Sequence, residues 1–248
     1  MLQPGAEDFV KSLIEFALKD TESPRRWHIT RLYMYRRLEH ALAAHDGPGK
    51  TCLSIAKSED FARIMGLRQV TFTSAIYPEV DMRALPYPDH HFDFTVADQV
   101  LEHVAGDPIA AFAETVRVTK PGGFIAQTTC FFNLIHQAPT DYWRFTPMAL
   151  QLICDRTGVE PVLLGGWGNQ LVWSYMSMGY RMAKVPENPD NPLYQLGMRN
   201  EKKYPLSTWV LARKPGGGVR AESSDETASA VRGLDHDRAD HHPPPRLA

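Results

Sequence analysis

The chain has 248 residues, which is enough for one α/β domain with a sizeable core and short for two such domains. Hydrophobic residues make up 43% and charged residues 23%, as in ordinary globular proteins, and the formal net charge is -2. This balance excludes a general electrostatic attraction to nucleic acid or to an anionic membrane, so we expect neither as a partner.

Three cysteines, Cys52, Cys130 and Cys154, lie far apart and form no Cys-X-X-Cys pair. An odd count without zinc-ligand spacing predicts reduced thiols and a cytoplasmic protein, and each cysteine is most simply a small buried apolar residue. No run approaches ~20 apolar residues, so we expect no transmembrane helix. The first residues lack the charged-then-apolar order of a signal peptide, so we expect none.

Residues 1–48 are predicted to form an N-terminal helical segment. Apolar residues from Phe9 to Ala17 fall near helical spacing, and a second helical pattern over residues 25–44 mixes aromatic side chains with arginines. This second helix either covers one face of the domain, with its arginines in solvent, or forms a lid or partner helix near the substrate. We favour the first interpretation.

From residue 49 onward, segments with strand patterns alternate with segments with helical patterns. The predicted strands are 51–56, 69–73, 92–97, 124–129, 162–164 and 207–212, and the predicted helices are 59–65, 98–104, 108–118, 147–157 and 170–183. Such alternation predicts a mostly parallel sheet covered on both faces. We assign residues 49–214 to this domain. Residues 215–248 have few large apolar side chains, which predicts a disordered tail.

Three motifs follow one another at characteristic distances. Residues 85–93 read LPYPDHHFD, residues 100–104 read VLEHV, and residues 114–123 read ETVRVTKPGG. Together they resemble the small-molecule branch of the class I S-adenosylmethionine-dependent methyltransferases, over about residues 51–157 and more weakly to 212. The resemblance implies a Rossmann-like, doubly wound, mostly parallel seven-stranded sheet with helices on both faces, and S-adenosylmethionine as the cofactor.

The resemblance also implies a set of cofactor-binding residues. Asp81 would hydrogen-bond the adenine amino group with Met82 near the ring, and Asp98 and Gln99 would border the methionine part of the cofactor. Ligands of open parallel sheets bind outside the carboxyl ends of the strands, where these residues are predicted to lie. The alternatives are a turn role for Asp81 and a helix N-cap for Asp98, which is compatible with cofactor contact.

Two anchor segments depart from the family pattern. The family's first strand ends in a glycine-rich loop, whereas residues 53–60 read LSIAKSED and place Ala56 and Lys57 in that loop. Lys57 would add positive charge near a sulfonium unless a nearby acid compensates it. The family usually has an acid after the second strand to hold the ribose, and this chain has Ser74 there.

Polar and aromatic residues concentrate after the predicted fifth strand, where residues 133–147 read NLIHQAPTDYWRFTP. His136 is the predicted catalytic base, because its ordinary pKa is near neutral, and Asp141 would orient it. Arg144 would hold an anionic acceptor through a two-pronged contact, and Tyr142 and Trp143 would stack on a sugar or aromatic ring. Alternatively, Asp141 and Arg144 pair only to fix the loop.

His103 is a second base candidate, although a structural role for it is equally simple. No set of His, Cys, Asp and Glu has the spacing of a metal site, so we predict no metal.

The sequence therefore predicts S-adenosylmethionine-dependent methyl transfer to a small molecule or sugar-containing metabolite. The alternative is a non-catalytic methyltransferase-like domain that binds a metabolite or a protein partner. The altered loop favours this alternative, whereas Asp81, Asp98 and the polar loop favour the enzyme. A nicotinamide-dependent oxidoreductase is poorly supported, because no GxGxxG follows the first strand.

Overall fold

The computed structural model describes residues 6–19, 25–137, 139–182 and 184–216. The helices within these residues are α1 Ala6–Leu18, α2 Ile29–Leu38, α3 Glu59–Ile64, α4 Pro108–Val118, α5 Pro147–Thr157, α6 Gln170–Ser177 and α7 Pro192–Met198. The strands are β1 Arg26–His28, β2 Thr51–Ile55, β3 Thr71–Ala75, β4 Phe92–Asp98, β5 Thr119–Cys130, β6 Glu160–Trp167, β7 Lys184–Pro186 and β8 Ser207–Arg213. The predicted tail lies outside the described residues from 217 onward.

The main sheet has the strand order β3-β2-β4-β5-β8-β6. Strands β3, β2, β4 and β5 run parallel, and β8 runs antiparallel to both β5 and β6. This mostly parallel α/β sheet confirms the predicted fold class. The described residues form six strands in it rather than the implied seven, because residues 76–91 form turns. Pro78, Pro86 and Pro88 lie in that stretch, and proline lacks the N–H that a strand ladder needs.

Helix starts follow the local sequence. The side chains of Asp107, Thr146 and Asn169 accept hydrogen bonds from the first-turn amides of α4, α5 and α6. Proline follows Asp107 and Thr146 at the first helical position, where its missing N–H costs nothing.

Two predicted elements differ from the structure. The predicted helix 98–104 is only a 3-10 turn, Leu101–His103, because β4 continues through Asp98 and Gln99 has a φ of +58°, which interrupts a right-handed helix. The predicted helix 25–44 begins with β1, which pairs antiparallel with β7 before α2 starts. Neither β7 nor α7 is among the predicted elements.

The N-terminal segment shares a hydrophobic core with the rest of the domain. Ile14 of α1 and Leu32 of α2 are buried in one cluster with Trp167 and Tyr175. A second cluster includes residues of α4 and α5 such as Phe112. The predicted boundary at residue 48 is therefore crossed by a common core. None of the helices in the described part of the chain is long and apolar enough to cross a bilayer.

Asp93 joins three strands at the amino-terminal edge of the parallel part of the sheet. Its Oδ2 accepts hydrogen bonds from Thr51 N at 2.9 Å, Thr51 Oγ1 at 3.1 Å and Lys120 Nζ at 2.8 Å. Partial burial opposes ionisation, but the bonds from Lys120 and Thr51 outweigh it and lower the pKa of Asp93. The ionised carboxylate therefore stabilises the register of β2, β4 and β5.

We expect Asp93→Asn to lower the free energy of unfolding by about 1 kcal/mol at pH 7, or about 2–4 °C in Tm. Because the folded-state pKa is lowered, this contribution is present at neutral pH and is lost as the pH falls below about 4. Calorimetric scans at several pH values measure it. Asp60→Asn is the control, since the Asp60 side chain is 95% exposed. Equal Tm values for Asp93→Asn and the native chain at pH 7 would contradict the assignment.

Candidate active site

A cavity of about 240 Å³ lies at the carboxyl ends of β2, β3 and β4. Its apolar wall includes Ile55, Ala75, Val80, Met82, Val100 and Val104. Its polar lining includes Asp81, Arg83, Gln99, His103, Thr140 and Tyr142. This edge is where open parallel α/β sheets bind ligands, and an apolar wall with a few polar groups is typical of small-molecule sites.

The loop after β2 has the backbone conformation of a glycine-rich loop without containing glycine. Ala56 and Lys57 have φ values of +53° and +63°, in the left-handed region. For residues with a Cβ, this conformation costs about 1 kcal/mol each. Ser58 fixes the turn, since its Oγ donates to Ile55 O at 2.5 Å and accepts from Asp98 N at 2.8 Å.

The two predicted residues of this loop have different surroundings. Ala56 lines the cavity, as the resemblance implies, whereas Lys57 is exposed and does not line it. The expected repulsion between the Lys57 ammonium and a sulfonium is reduced, because an exposed charge is screened by water.

Asp81 lies in the cavity wall and is held by Arg83. The backbone N of Arg83 donates to Asp81 Oδ1 at 2.8 Å, and Nε and Nη2 reach the carboxylate at 3.0 and 2.6 Å. These bonds lower the pKa of Asp81 and keep it ionised. Nε also lies 3.0 Å from Oδ2, so each carboxylate oxygen accepts two hydrogen bonds from Arg83, and a ligand donor would share these oxygens with Arg83.

Ser74, at the end of β3, is paired with an acid from another element. Its hydroxyl donates to the carboxylate of Glu59, in the first turn of α3. Partial burial opposes ionisation of Glu59, but the bond from Ser74 contributes to a lowered pKa. The missing acid of β3 thus has a counterpart in Glu59, which lies next to the end of that strand.

Asp98, at the end of β4, is bound from two other elements. Tyr35 of α2 donates to its Oδ2 at 2.5 Å, and Thr128 of β5 donates to its Oδ1 at 2.5 Å. Arg31 Nε is 3.8 Å from Oδ2. Burial and the Asp98 charge raise the pKa of Tyr35, so its hydroxyl stays a donor. Asp98 does not cap a helix, and it does not line the cavity itself.

Gln99 follows Asp98 and lines the cavity. Its backbone N donates to Thr128 O at 3.0 Å, and its side-chain Nε2 donates to Thr128 Oγ1 at 3.1 Å. These bonds hold the residue at its positive φ, a conformation that clusters at functional sites.

The loop after β5 is fixed by a buried ion pair. Arg144 Nη1 and Nη2 donate to the two carboxylate oxygens of Asp141 at 2.5 and 2.7 Å, and the Asp141 side chain is 1% exposed. This pairing lowers the pKa of Asp141 to about 2. The guanidinium of Arg144 is therefore engaged in fixing the loop, as in the alternative interpretation, rather than open to an anionic acceptor.

His136 contacts the same carboxylate. Asp141 Oδ2 accepts from His136 N at 3.0 Å and lies 3.2 Å from His136 Nδ1, which matches the predicted orienting role of Asp141. Burial lowers the pKa of His136 despite the nearby Asp141 charge. The ring of His136 is perpendicular to that of His103, with centroids 4.9 Å apart. The fold thus brings the two predicted bases together.

Tyr142 and Trp143 point to different surroundings. Tyr142 lines the cavity with its side chain half exposed, which fits its predicted contact with an acceptor. Trp143 donates from Nε1 to Val104 O at 2.9 Å, a bond that anchors the loop to the turn after β4.

Several residues at the site were not predicted from the sequence. Tyr35 and Arg31 belong to α2, for which a covering role was favoured over a role near the substrate, although its mixture of aromatic and basic side chains allowed both. Glu59 is the nearby acid that contacts Ser74. Glu102 is fully buried beside His103, and its place in the LEH motif was the available signal.

Comparison with known proteins finds a family match over part of the chain. Residues 41–127 match the family model described as a methyltransferase domain. A Mycolicibacterium smegmatis protein named "probable S-adenosylmethionine-dependent methyltransferase" is 32% identical over 116 residues, 42% of this chain and 45% of that protein. An uncharacterized methyltransferase of Schizosaccharomyces pombe is 54% identical over 41 residues, 16% of this chain and 14% of that protein. The chain thus matches less than half the length of these relatives.

Solved structures of similar fold share little sequence with this chain. An S-adenosylmethionine-dependent methyltransferase from Archaeoglobus fulgidus has a TM-score of 0.48 and 13% identity, covering 75% of this chain and 92% of that one. Phosphoethanolamine N-methyltransferase 2 of Haemonchus contortus, in complex with S-adenosyl-L-methionine, has a TM-score of 0.46 and 14% identity. The match covers 82% of this chain and 56% of that one.

We expect Ala56→Gly to raise the free energy of unfolding by up to about 1 kcal/mol. Glycine adopts a positive φ without steric cost, which outweighs its larger entropy in the unfolded chain. Urea denaturation measures the change. Ala62→Gly in α3 is the control and should lower the free energy of unfolding by at least about 1 kcal/mol, because glycine has a larger entropy in the unfolded chain, relieves no strain in a helix and removes the buried methyl group of Ala62. A loss at Ala56 equal to that at Ala62 would argue against the left-handed loop.

Proposed function

We propose that this chain, whose residues 41–127 match a methyltransferase domain, transfers a methyl group from S-adenosylmethionine to a small-molecule acceptor such as a sugar-containing metabolite. The observation that carries the proposal is the junction of the cavity with the polar loop after β5. His103 lines the cavity and contacts His136 of that loop. A donor and an acceptor held on the two sides of this junction would be close to each other, which is the main requirement for methyl transfer.

The residues around the cavity fit the cofactor. Asp81 offers a carboxylate on the cavity wall to an amino group, which would share its oxygens with Arg83, and Val80, Met82 and Val100 supply an apolar wall for a flat ring. The left-handed loop at Ala56 brings backbone next to the cavity. When bound, the cofactor supplies an electrophilic methyl group on a positively charged sulfur.

Acids at the ends of β3 and β4 complete the expected cofactor contacts. The Ser74–Glu59 pair offers a hydroxyl and a carboxylate for ribose hydroxyls. The Asp98 carboxylate offers a negative charge to the ammonium group of the methionine part, and Tyr35 and Thr128 hold it in place.

The acceptor side is lined by residues that suit a ring with polar substituents. Tyr142 offers an aromatic face with a polar tip, and Thr140 and His103 offer polar groups beside it. His136, oriented by Asp141, retains its predicted role as the base for a hydroxyl acceptor. The proposal includes a small-molecule acceptor without nucleic acid or membrane partners, in keeping with the net charge of -2. It also includes a cytoplasmic location, supported by the free, buried cysteines.

One observation favours the non-catalytic alternative. The carboxylate of Asp81 is already bound by three donors of Arg83, and the loop at Ala56 has the bulk of a Cβ where the family has glycine. A domain that had lost the cofactor would retain the same sheet and bind another metabolite in the cavity.

Titration calorimetry with S-adenosylhomocysteine, the stable demethylated product, separates these functions. The proposed function predicts saturable binding of one molecule per chain. Absence of heat at high ligand concentration, from protein shown to be folded by circular dichroism, would favour the non-catalytic domain.

We expect Asp81→Asn to weaken S-adenosylhomocysteine binding about tenfold, because a charged acceptor is replaced by an amide whose orientation Arg83 no longer fixes. Titration calorimetry measures the change in the dissociation constant of S-adenosylhomocysteine. Asp155→Asn on the exposed face of α5 should leave the dissociation constant unchanged. Unchanged binding by folded Asp81→Asn protein would remove Asp81 from the cofactor site.

A further inference from the structure

Three potential metal ligands converge on the acceptor side of the cavity. Glu102 and His103 lie on the 3-10 turn after β4, and His136 lies on the loop after β5. Each offers one ligand atom such that the three atoms lie within 4.8 Å of one another. The residues are distant in sequence, so their spacing along the chain gave no sign of a metal site.

Glu102 has a buried oxygen without a partner. The residue is 0% exposed, and Oε2 accepts a hydrogen bond from Thr129 Oγ1 at 2.9 Å. Oε1 is fully buried and has no hydrogen-bond partner among the described residues. Such an orphaned polar atom is costly, and a cation bound to it would remove that cost.

The two imidazoles are oriented as metal ligands usually are. His103 Nδ1 lies 2.8 Å from Thr140 O, and His136 Nδ1 lies 3.2 Å from both Asp141 Oδ2 and Leu134 O. These oxygens only accept hydrogen bonds, so Nδ1 of each ring carries the proton and Nε2 keeps its lone pair. Metal-binding histidines typically use this arrangement, with the other nitrogen donating to a carboxylate or carbonyl.

We propose that Glu102, His103 and His136 bind one divalent transition-metal ion of the zinc class. Two imidazole nitrogens and one carboxylate form a donor set that suits zinc and leaves a coordination position open. Donor atoms bound to one zinc ion lie about 3–3.5 Å apart, so binding would draw the ligands closer. His136 is able to approach, because residues 131–146 have no helix or strand in the described part of this loop.

A metal ion at this site would change how the methyl acceptor is activated. Because His103 also lines the cavity, the open position of the ion would be near the acceptor. This consequence rests on the proposed function and requires an acceptor with a hydroxyl group, whose proton would become more acidic on coordination and would pass to water, while the oxygen displaces sulfur from the methyl group. His136 is then a ligand rather than the base predicted from the sequence, and Asp141 is the residue that positions it.

The test is titration of the full chain, stripped with a chelator, with zinc chloride alone by calorimetry, and with cobalt chloride followed by visible absorption. We expect one high-affinity equivalent and a cobalt spectrum typical of nitrogen and oxygen ligands. His136→Ala and Glu102→Gln should each lower zinc affinity at least tenfold, and Asp141→Asn about 10- to 100-fold. Circular dichroism verifies the fold of each variant, and His136→Ala serves if Glu102→Gln fails to fold.

Two controls test whether zinc binds elsewhere. His91 is an exposed histidine of the LPYPDHHFD motif, remote from the three ligands, and His91→Ala should not alter zinc affinity. The triple substitution His236→Ala, His241→Ala and His242→Ala, in the predicted tail, should likewise leave the high-affinity equivalent intact. Absence of a high-affinity equivalent, or equal affinity in folded His136→Ala, would overturn the site. Zinc binding requires neither cofactor nor acceptor, so its failure is distinguishable from failure of S-adenosylhomocysteine binding.

Discussion

The carboxylate of Asp98 connects the parts of the molecule that form the site. It lies at the end of β4 and accepts hydrogen bonds from Tyr35 of α2 and Thr128 of β5, while its backbone N donates to Ser58 of the loop after β2. One residue thus fixes α2, two strands and the loop after β2 relative to one another. A charge held by several donors is costly to rearrange, so the carboxyl edge of the sheet is preorganised before a ligand arrives.

The loop after β2 adopts a conformation typical of glycine without containing glycine. Ala56 and Lys57 adopt the left-handed conformation that glycine normally provides, and the hydrogen bonds of Ser58 hold them there. Packing and hydrogen bonds elsewhere offset the local cost, as is common at functional sites. The Ser74–Glu59 pair is a similar case, because the acid comes from α3 rather than from β3.

The acceptor side is organised by charge pairing rather than by regular secondary structure. The buried Asp141–Arg144 pair fixes the loop after β5, and the same carboxylate orients His136 toward His103 and Glu102. A bidentate pair is specific in direction, so it compensates for the absence of a helix or strand. This explains why Arg144, which has the chemistry of an anion-binding residue, has a structural role here.

The sequence by itself determined the α/β class and most strands and helices, because hydrophobic periodicity and turn residues are local properties. The placement of Asp81, Met82 and Gln99 near a ligand came from the resemblance of the sequence motifs to class I methyltransferases. The sequence also identified His103, His136 and Asp141 as individual groups. Only the tertiary structure decided that Tyr35 reaches Asp98, that Glu59 joins Ser74, and that Glu102, His103 and His136 converge. These contacts join residues distant in the chain, and their distances depend on how helices and loops pack onto the sheet, which no local pattern specifies.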